Sequence, residues 1–354
     1  MCNNKFYIFD LVTTYHLISA LSFCISKSCK GDEIVVYYIE DMDGKYQFSD
    51  ISFISDSGVL ISLRKQKKLN GFYWTIVPFV NRLLSFRETR SSIYLGHHTY
   101  YKPTVARYLD KKELMLGRKF FTFGFEEGVG TYNGFSQEKD VALREKKKYF
   151  LAKFVLKKIL RSRLFLDFKW GLLKDKSEEV DKCYKSAASI VLNNLYSELN
   201  GLKGTKLADL SNKVVYFTTP FVKIDLMSNE EYNDFFCRVV KYFEENNIPL
   251  VIKPHPLDDF SYEDIAPNAD VIESSAPAEI MMLGFNVKMV AGVNSTALVT
   301  ASCLYDCHAI NMVDFLPEKT RNRLNLGVEL QSIFDNNTSR VDEEHFSCSR
   351  GNGF

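Results

Sequence analysis

The sequence has no excess of either charge: 45 lysines and arginines stand against 44 aspartates and glutamates, a net charge of +1. That balance argues against nucleic acid as the main partner. No stretch approaches the roughly 20 uninterrupted apolar residues that span a bilayer, so any membrane contact is expected to be peripheral. The run from Lys5 to Leu11 is short, and Asp10 and His16 break its apolar continuation, so no secretory leader is expected. Eight cysteines occur, at positions 2, 24, 29, 183, 237, 303, 307 and 348, and none forms a CxxC pair. Several lie inside apolar runs, which suits reduced, buried thiols in a cytoplasmic protein. With no second paired motif, Cys303, Cys307 and His308 are assigned to a core helix rather than a metal site. A Walker A loop and a well-spaced carboxylate cluster are both missing, which argues against a kinase or phosphatase. No internal repeat is visible.

What is present is globular. Apolar residues make up 46% and charged residues 25% of 354 positions, enough for a sizeable core and about right for two domains. Strand and helix patterns alternate regularly, the signature of an α/β fold. Lys5 to Leu11 predicts a strand, followed by a helix over Tyr15 to Ser26 capped by Thr13 or Thr14, with Leu17, Leu21, Phe23 and Cys24 on its buried side. Strands are predicted over Asp32–Ile39, Ser91–Gly96 and Lys119–Phe125, helices over Phe72–Phe86, Pro103–Leu109 and Ser177–Leu199, and a helix edge with a short strand within Ile51–Leu63.

The turn-rich stretch Asn200 to Lys206 predicts the linker, placing one Rossmann-like domain over 1–205 and a second over 206–354. The second opens with a strand over Lys213–Thr219 and a helix over Asn229–Asn247. The strand entering Lys253-Pro-His-Pro256 comes next, then a short acidic helix. A strand over Ala269–Glu273 leads to a helix from Ala278, with Ser275 as cap and Pro277 near its start. Strands over Lys288–Gly292 and Ala309–Val313 come last, and the polar end from Asp335 is expected to fray.

The segment Ala142 to Phe168 has a different texture. Arg144, Lys146–Lys148, Lys153, Lys157, Lys158, Arg161 and Arg163 interleave with Phe150, Phe154, Ile159 and Leu164. On a helix this is either a solvated charged face over a core or a surface that docks on an anionic membrane.

Two stretches carry chemistry. Pro249 to Ile252 reads as a buried strand that runs into a turn stiffened by two prolines and presents His255. An imidazole there can give a proton or hydrogen bond to a leaving phosphate, though a structural histidine is the plainer alternative. Gly292 opens a loop into a helix whose first turn carries Ser295 and Thr296. Their hydroxyls and the helix-start N–H groups can hold a phosphate, and capping uses the same geometry. Glu126 and Glu127 end the strong Lys119–Phe125 strand. Mutual repulsion and burial can separate their pKa values and leave one basic enough to take a proton from a sugar hydroxyl. Gly128 and Gly130 keep the backbone open there; the plainer alternative is an acidic turn. Pro277 and Glu279 could set a carboxylate against a ribose hydroxyl, or Glu279 could be an ordinary first-turn acid.

Taken in order, Thr14-Tyr-His-Leu, Glu126-Glu-Gly, Lys253-Pro-His-Pro, Pro277-Ala-Glu and Asn294-Ser-Thr-Ala-Leu resemble the motifs of two enzyme families. These are the bacterial sialyltransferases of the lipooligosaccharide type (glycosyltransferase family 52) and the related capsular polysialyltransferases (family 38). The resemblance spans about residues 5 to 315. It implies a GT-B fold, two Rossmann-like domains facing each other across a cleft. It also implies inverting transfer of sialic acid from CMP-sialic acid to a lipooligosaccharide or capsular glycan, with no metal and no cofactor beyond the donor. Glu126 and Glu127 would then supply the base. His255, with Lys253 and Pro256, would bind the CMP phosphate and assist its departure. Ser295 and Thr296, from the Gly292 loop, would hold the same phosphate. Where relatives often show two serines, this chain has Ser-Thr, which keeps both hydroxyls. The expected location is the cytoplasm, with the basic segment 144–165 as a contact to the inner membrane.

Three other readings compete. Asp41-Met-Asp43 matches the metal-binding DxD of a GT-A transferase, but Gly44 makes it first a turn. A GT-B transferase could use CMP-Kdo or another CMP-nonulosonate. A non-catalytic, membrane-associated glycan-binding or assembly protein could use the basic segment instead.

Overall fold

The computed structural model describes residues 5–9, 14–27, 33–38, 51–54, 58, 60–65, 92–97, 119–125, 168–172, 177–195, 209–255, 257–272, 278–324, 326 and 328–341. The chain divides into two compact units. Met1–Thr131 with Phe135–Leu195 forms the first, and Tyr132–Gly134 with Tyr196–Phe354 the second. The linker expected at 200–206 lies outside the described residues, as do the helices expected over 72–86 and 103–109.

The first unit contains β1 (Lys5–Phe9), α1 (Thr14–Ser26), β2 (Glu33–Tyr38), β3 (Ile51–Ile54), β4 (Leu60–Lys65), β5 (Ser92–His97), β6 (Lys119–Phe125), β7 (Phe168–Trp170) and α2 (Glu178–Leu195). Its sheet has the order β3-β4-β2-β1-β5-β6-β7. From β1 the parallel strands run outward through β2 to β4, then return to β1's other side for β5 to β7, the doubly wound arrangement. Two elements differ from expectation. The 51–63 stretch is no helix edge: β3 pairs antiparallel with β4, Ile51 opposite Leu63, and the Ser52 and Ser62 hydroxyls meet at 2.9 Å. The edge strand β7 has only three residues, too short for a period to register in sequence.

Helix α1 is also buried more completely than its pattern suggests. Every residue from 15 to 24 is buried, His16, Ser19 and Ser22 included. Buried polar side chains avoid the desolvation cost by bonding internally. Ser22 Oγ donates to the Ser19 carbonyl at 2.7 Å, and Ser19 shares a short hydrogen bond with the Tyr184 hydroxyl of α2.

The second unit contains β8 (Val214–Phe217), α3 (Asn229–Glu245), β9 (Leu250–Lys253), β10 (Asp270–Val271), α4 (Ala278–Gly284), β11 (Met289–Gly292), α5 (Thr296–Tyr305), β12 (His308–Asn311), a 3₁₀ turn (Val313–Phe315), α6 (Glu318–Arg323), α7 (Val328–Asn337) and β13 (Ser339–Arg340). Among the described residues its six strands are all parallel, in the order β10-β9-β8-β11-β12-β13. Every residue of β8 and β9 is buried, as expected of central strands covered on both faces. Helix α3 starts from a reciprocal cap: Ser228 Oγ accepts the Glu231 N–H, and the Glu231 carboxylate accepts the Ser228 N–H. It buries Tyr232, Phe235, Phe236, Val239, Val240 and Phe243, a stripe at helical spacing, against Tyr216 and Ile252 of the sheet. Tyr216 meets Phe236 edge to face at 5.4 Å.

Two expectations fail here. The last strand is not Ala309–Val313: β13 lies beyond it, with Ser339 opposite Ile310 and Arg340 opposite Asn311. The acidic segment after Pro256 forms turns rather than a helix. Asp258 uses its carboxylate to accept the Phe260 N–H at 3.3 Å, a local bond that competes with helical pairing.

Candidate functional site

In a doubly wound sheet the ligand crevice opens at the carboxyl ends of the strands where the order reverses. In the second unit that point is between β8 and β11. The final residues of four strands stand in register there: Lys253 opposite Phe217, Phe217 opposite Gly292, and Gly292 opposite Asn311. The loops carrying His255 and Ser295 therefore leave from one row of the sheet.

Gly292 is required by the backbone beside it. A Cβ at this position would lie 2.8 Å from the Phe217 carbonyl oxygen. The chain then turns through Asn294, whose φ of 44° is left-handed, a conformation asparagine tolerates better than most residues. The fully buried Asn311 holds that turn with both ends of its amide. Its Oδ1 accepts the Asn294 N–H at 3.2 Å, and its Nδ2 donates to Asn294 Oδ1 at 2.8 Å. Ser295 comes next as the N-cap of α5, accepting the Ala297 N–H at 3.3 Å. Capping uses a lone pair of the hydroxyl and leaves its proton to donate. Ser295, Thr296 and the start of a ten-residue helix thus offer donors to an anion.

On β9, Lys253 is only 6% exposed, and burial pushes its ammonium pKa down. Its Nζ donates to the Pro254 carbonyl at 3.2 Å. Next in the chain, His255 is exposed. Its Nδ1 accepts the Leu257 N–H at 3.1 Å, so the neutral ring carries its proton on Nε2. The loop is tied down further by Thr218, just past β8, whose Oγ1 accepts the His255 N–H at 2.8 Å. The neighbouring Thr219 hydroxyl donates to the Val293 carbonyl at 3.3 Å, on the Ser295 side. The Thr218-Thr219 pair thus joins the two loops whose motifs are separate in sequence. Little in the sequence marks it, since two threonines ending a strand are ordinary.

Glu279 of α4 is buried, and loss of solvation raises its carboxyl pKa. Its electrostatic neighbour is Tyr305, the last residue of α5, whose own pKa rises through burial and that carboxylate. The Tyr305 hydroxyl is buried with no hydrogen-bond partner among the described residues. A carboxyl whose folded pKa is raised holds its proton longer folded than unfolded. Stability it contributes at low pH is therefore lost as pH rises from the ordinary carboxylate range through the folded pKa. Glu279→Gln does not titrate. Its melting temperature should exceed the wild-type value at neutral pH, and the gap should close at about pH 4, in the ordinary carboxylate range. Scanning calorimetry at both pH values checks this; equal midpoints at neutral pH would contradict it.

Glu126, Glu127, Pro256, Ser275, Pro277, the basic segment 144–165 and Asp41–Asp43 lie outside the described residues. Among the described residues no group of histidine, cysteine, aspartate or glutamate is arranged to hold a metal ion. Neither Cys303 nor Cys307 is in a disulfide; Cys303 donates to the Asn337 side chain and Cys307 to the Val287 carbonyl. No helix among the described residues is long and apolar enough to cross a membrane.

Comparison with known proteins adds family and fold. A model of the alpha-2,8-polysialyltransferase family (POLYST) matches residues 89–314. No curated protein matches the sequence. Among solved structures, the UDP-GlcNAc 2-epimerase from Methanocaldococcus jannaschii is similar with a TM-score of 0.53 at 12% identity, over 96% of this chain and 89% of that one. A family 9 glycosyl transferase from Veillonella parvula DSM 2008 gives 0.41 at 9% identity, over 99% and 90%. The glycosyltransferase SnogD from Streptomyces nogalater gives 0.41 at 8% identity, over 99% and 90%. At such identities the epimerase likeness bears on the fold alone, and it agrees with the pair of Rossmann-like units that define the GT-B class.

Proposed function

Because the chain belongs to the alpha-2,8-polysialyltransferase family, we propose that it moves sialic acid from CMP-sialic acid to a hydroxyl of a cell-surface glycan, by one inverting displacement without a metal. Of the two families that the motifs resemble, the match selects the polysialyltransferases, and the chain is a sialyltransferase. The observation that carries the finer reading is the shared row at the sheet's carboxyl edge. From it leave an imidazole with its proton on Nε2 and a capped helix start with two hydroxyls.

The donor's anomeric carbon is tertiary and bears a carboxylate, so the transition state is oxocarbenium-like. The acceptor oxygen attacks that carbon as the bond to the phosphate oxygen breaks. The bonding pair leaves with CMP, and the acceptor proton passes to a carboxylate. Glu126 or Glu127, directly after β6, is the proposed base. The main electrostatic task is the growing charge on the departing phosphate. His255 Nε2–H, Ser295, Thr296 and the α5 N–H groups are proposed to meet it, with the buried Lys253 ammonium adding positive charge on the same row. Hydrogen-bond donors and a lysine can do this work in place of a divalent ion. Glu279 and Pro277 are proposed to lie on the nucleoside side, and the basic segment 144–165 to meet an anionic membrane.

The test is incubation with CMP-sialic acid or, in parallel, CMP-Kdo, and a panel of galactosides and oligosialic acids, with and without EDTA, read by mass spectrometry. Products lengthened by sialic acid, unaffected by EDTA, are expected. Loss of product with EDTA would overturn the metal-free mechanism, and transfer from CMP-Kdo alone would overturn the donor.

A further inference from the structure

We propose that Thr218, Asp258 and Tyr262 position His255, and so set the rate of transfer without touching the substrate; this rests on the role given to His255 above. Three bonds to described residues hold His255. Its N–H donates to Thr218 Oγ1 at 2.8 Å, its carbonyl accepts the Asp258 N–H at 2.8 Å, and its Nδ1 accepts the Leu257 N–H at 3.1 Å. Behind them runs a directional chain. Thr218 Oγ1 accepts the His255 N–H with one lone pair and gives its single proton to Asp258 Oδ2, at 2.6 Å. The same carboxylate oxygen accepts the Tyr262 hydroxyl at 2.5 Å, while Oδ1 takes the Phe260 N–H at 3.3 Å. The Tyr262 hydroxyl lies 2.7 Å from that of Tyr232, on the buried face of α3.

The Thr218 and Tyr262 hydroxyls both donate to Asp258, so each of these two protons has one direction to point. Thr218 is 4% exposed, Tyr262 2% and Tyr232 1%, whereas the ring they support is exposed. Ordinary turn bonds would suffice to keep a surface loop folded. A polar chain reaching into an aromatic core is worth its desolvation only when fully satisfied, and then it is rigid. Here that rigidity is delivered to one imidazole at the carboxyl end of β9. A misplacement of about 1 Å at a reacting group can cost about 100-fold in rate.

The test measures kcat and KM for CMP-sialic acid in Thr218→Val, Thr218→Ser, Tyr262→Phe and His255→Ala. It also compares ¹⁵N spectra of histidine-labelled protein, the His255 signal being assigned by its disappearance in His255→Ala. Thr218→Val should lower kcat about 10- to 100-fold and leave the donor KM nearly unchanged. Its His255 ring should lose the pure Nε2–H tautomer of the wild type. Thr218→Ser, which restores the hydroxyl, should recover most of both. Tyr262→Phe, one link further back, should lower kcat less and in the same sense, and it reports independently should Thr218→Val fold poorly. A folded Thr218→Val with wild-type kcat and an unchanged tautomer overturns the positioning role. If His255→Ala loses the reaction in that same experiment, the transferase reading stands alone. If His255→Ala keeps full activity, the failure belongs to the role given to His255, and transfer itself still stands.

Discussion

His255→Ala should lower kcat by about 100-fold or more while leaving the protein folded, since a positioned acid–base or donor group contributes about 10²- to 10⁴-fold. The ring is exposed, so its removal opens no cavity in the core. The loss should fall on kcat more than on the donor KM. The Nε2–H bond strengthens as charge builds on the departing phosphate, and only such a difference accelerates the chemical step. His255→Gln refines the test. A phosphate monoester has its second pKa at about 6, so at neutral pH CMP can leave without a fully transferred proton. An amide donor in place of the imidazole should therefore keep more activity than alanine does. Retention of wild-type kcat in His255→Ala, with an unchanged unfolding curve, would remove the imidazole from the mechanism.

Gly292→Ala should damage both the stability of the second unit and its function. The new Cβ would fall 2.8 Å from the Phe217 carbonyl oxygen, and that neighbour is backbone, with no rotamer to change. The β8–β11 pair must then part at its carboxyl end, where Gly292 stands opposite Phe217. Overpacking of this kind costs about 1–3 kcal/mol, measurable as a lower urea midpoint at unchanged slope. The functional loss should be larger than the stability loss implies. Thr218 and Thr219 come directly after Phe217, and Asn294 and Ser295 soon after Gly292, so one strain displaces both ligand-facing loops. Donor KM and kcat should worsen together, by about tenfold or more given the sensitivity of reacting geometry. A Gly292→Ala protein with native stability and native kinetics would show that the close approach of the two strands has no part in shaping the site.

The alternation of strand and helix, the strand into Lys253-Pro-His-Pro and the Ser295-Thr296 helix start were legible in the sequence, because each rests on interactions within a few residues. Hydrophobic period, proline stiffness and capping hydroxyls are local properties, and the α3 stripe and the Ser295 cap formed where they predict. Long-range pairing was not legible. The two-residue strand β13, the antiparallel β3 and the three-residue β7 exist because a neighbouring edge accepts them, and no window of their own sequence contains that neighbour.

The site divides the same way. Sequence by itself determined that an imidazole, a lysine and two hydroxyls would sit at the ends of strands. Tertiary structure decided that Thr218 and Asp258, some 40 residues apart, would share a proton to hold that imidazole. It likewise decided that Asn311 would grip Asn294 from the adjacent strand, and that Lys253 would be buried. Those outcomes depend on register across a parallel sheet, which brings residues distant in sequence to one row, and register is set by the whole core at once.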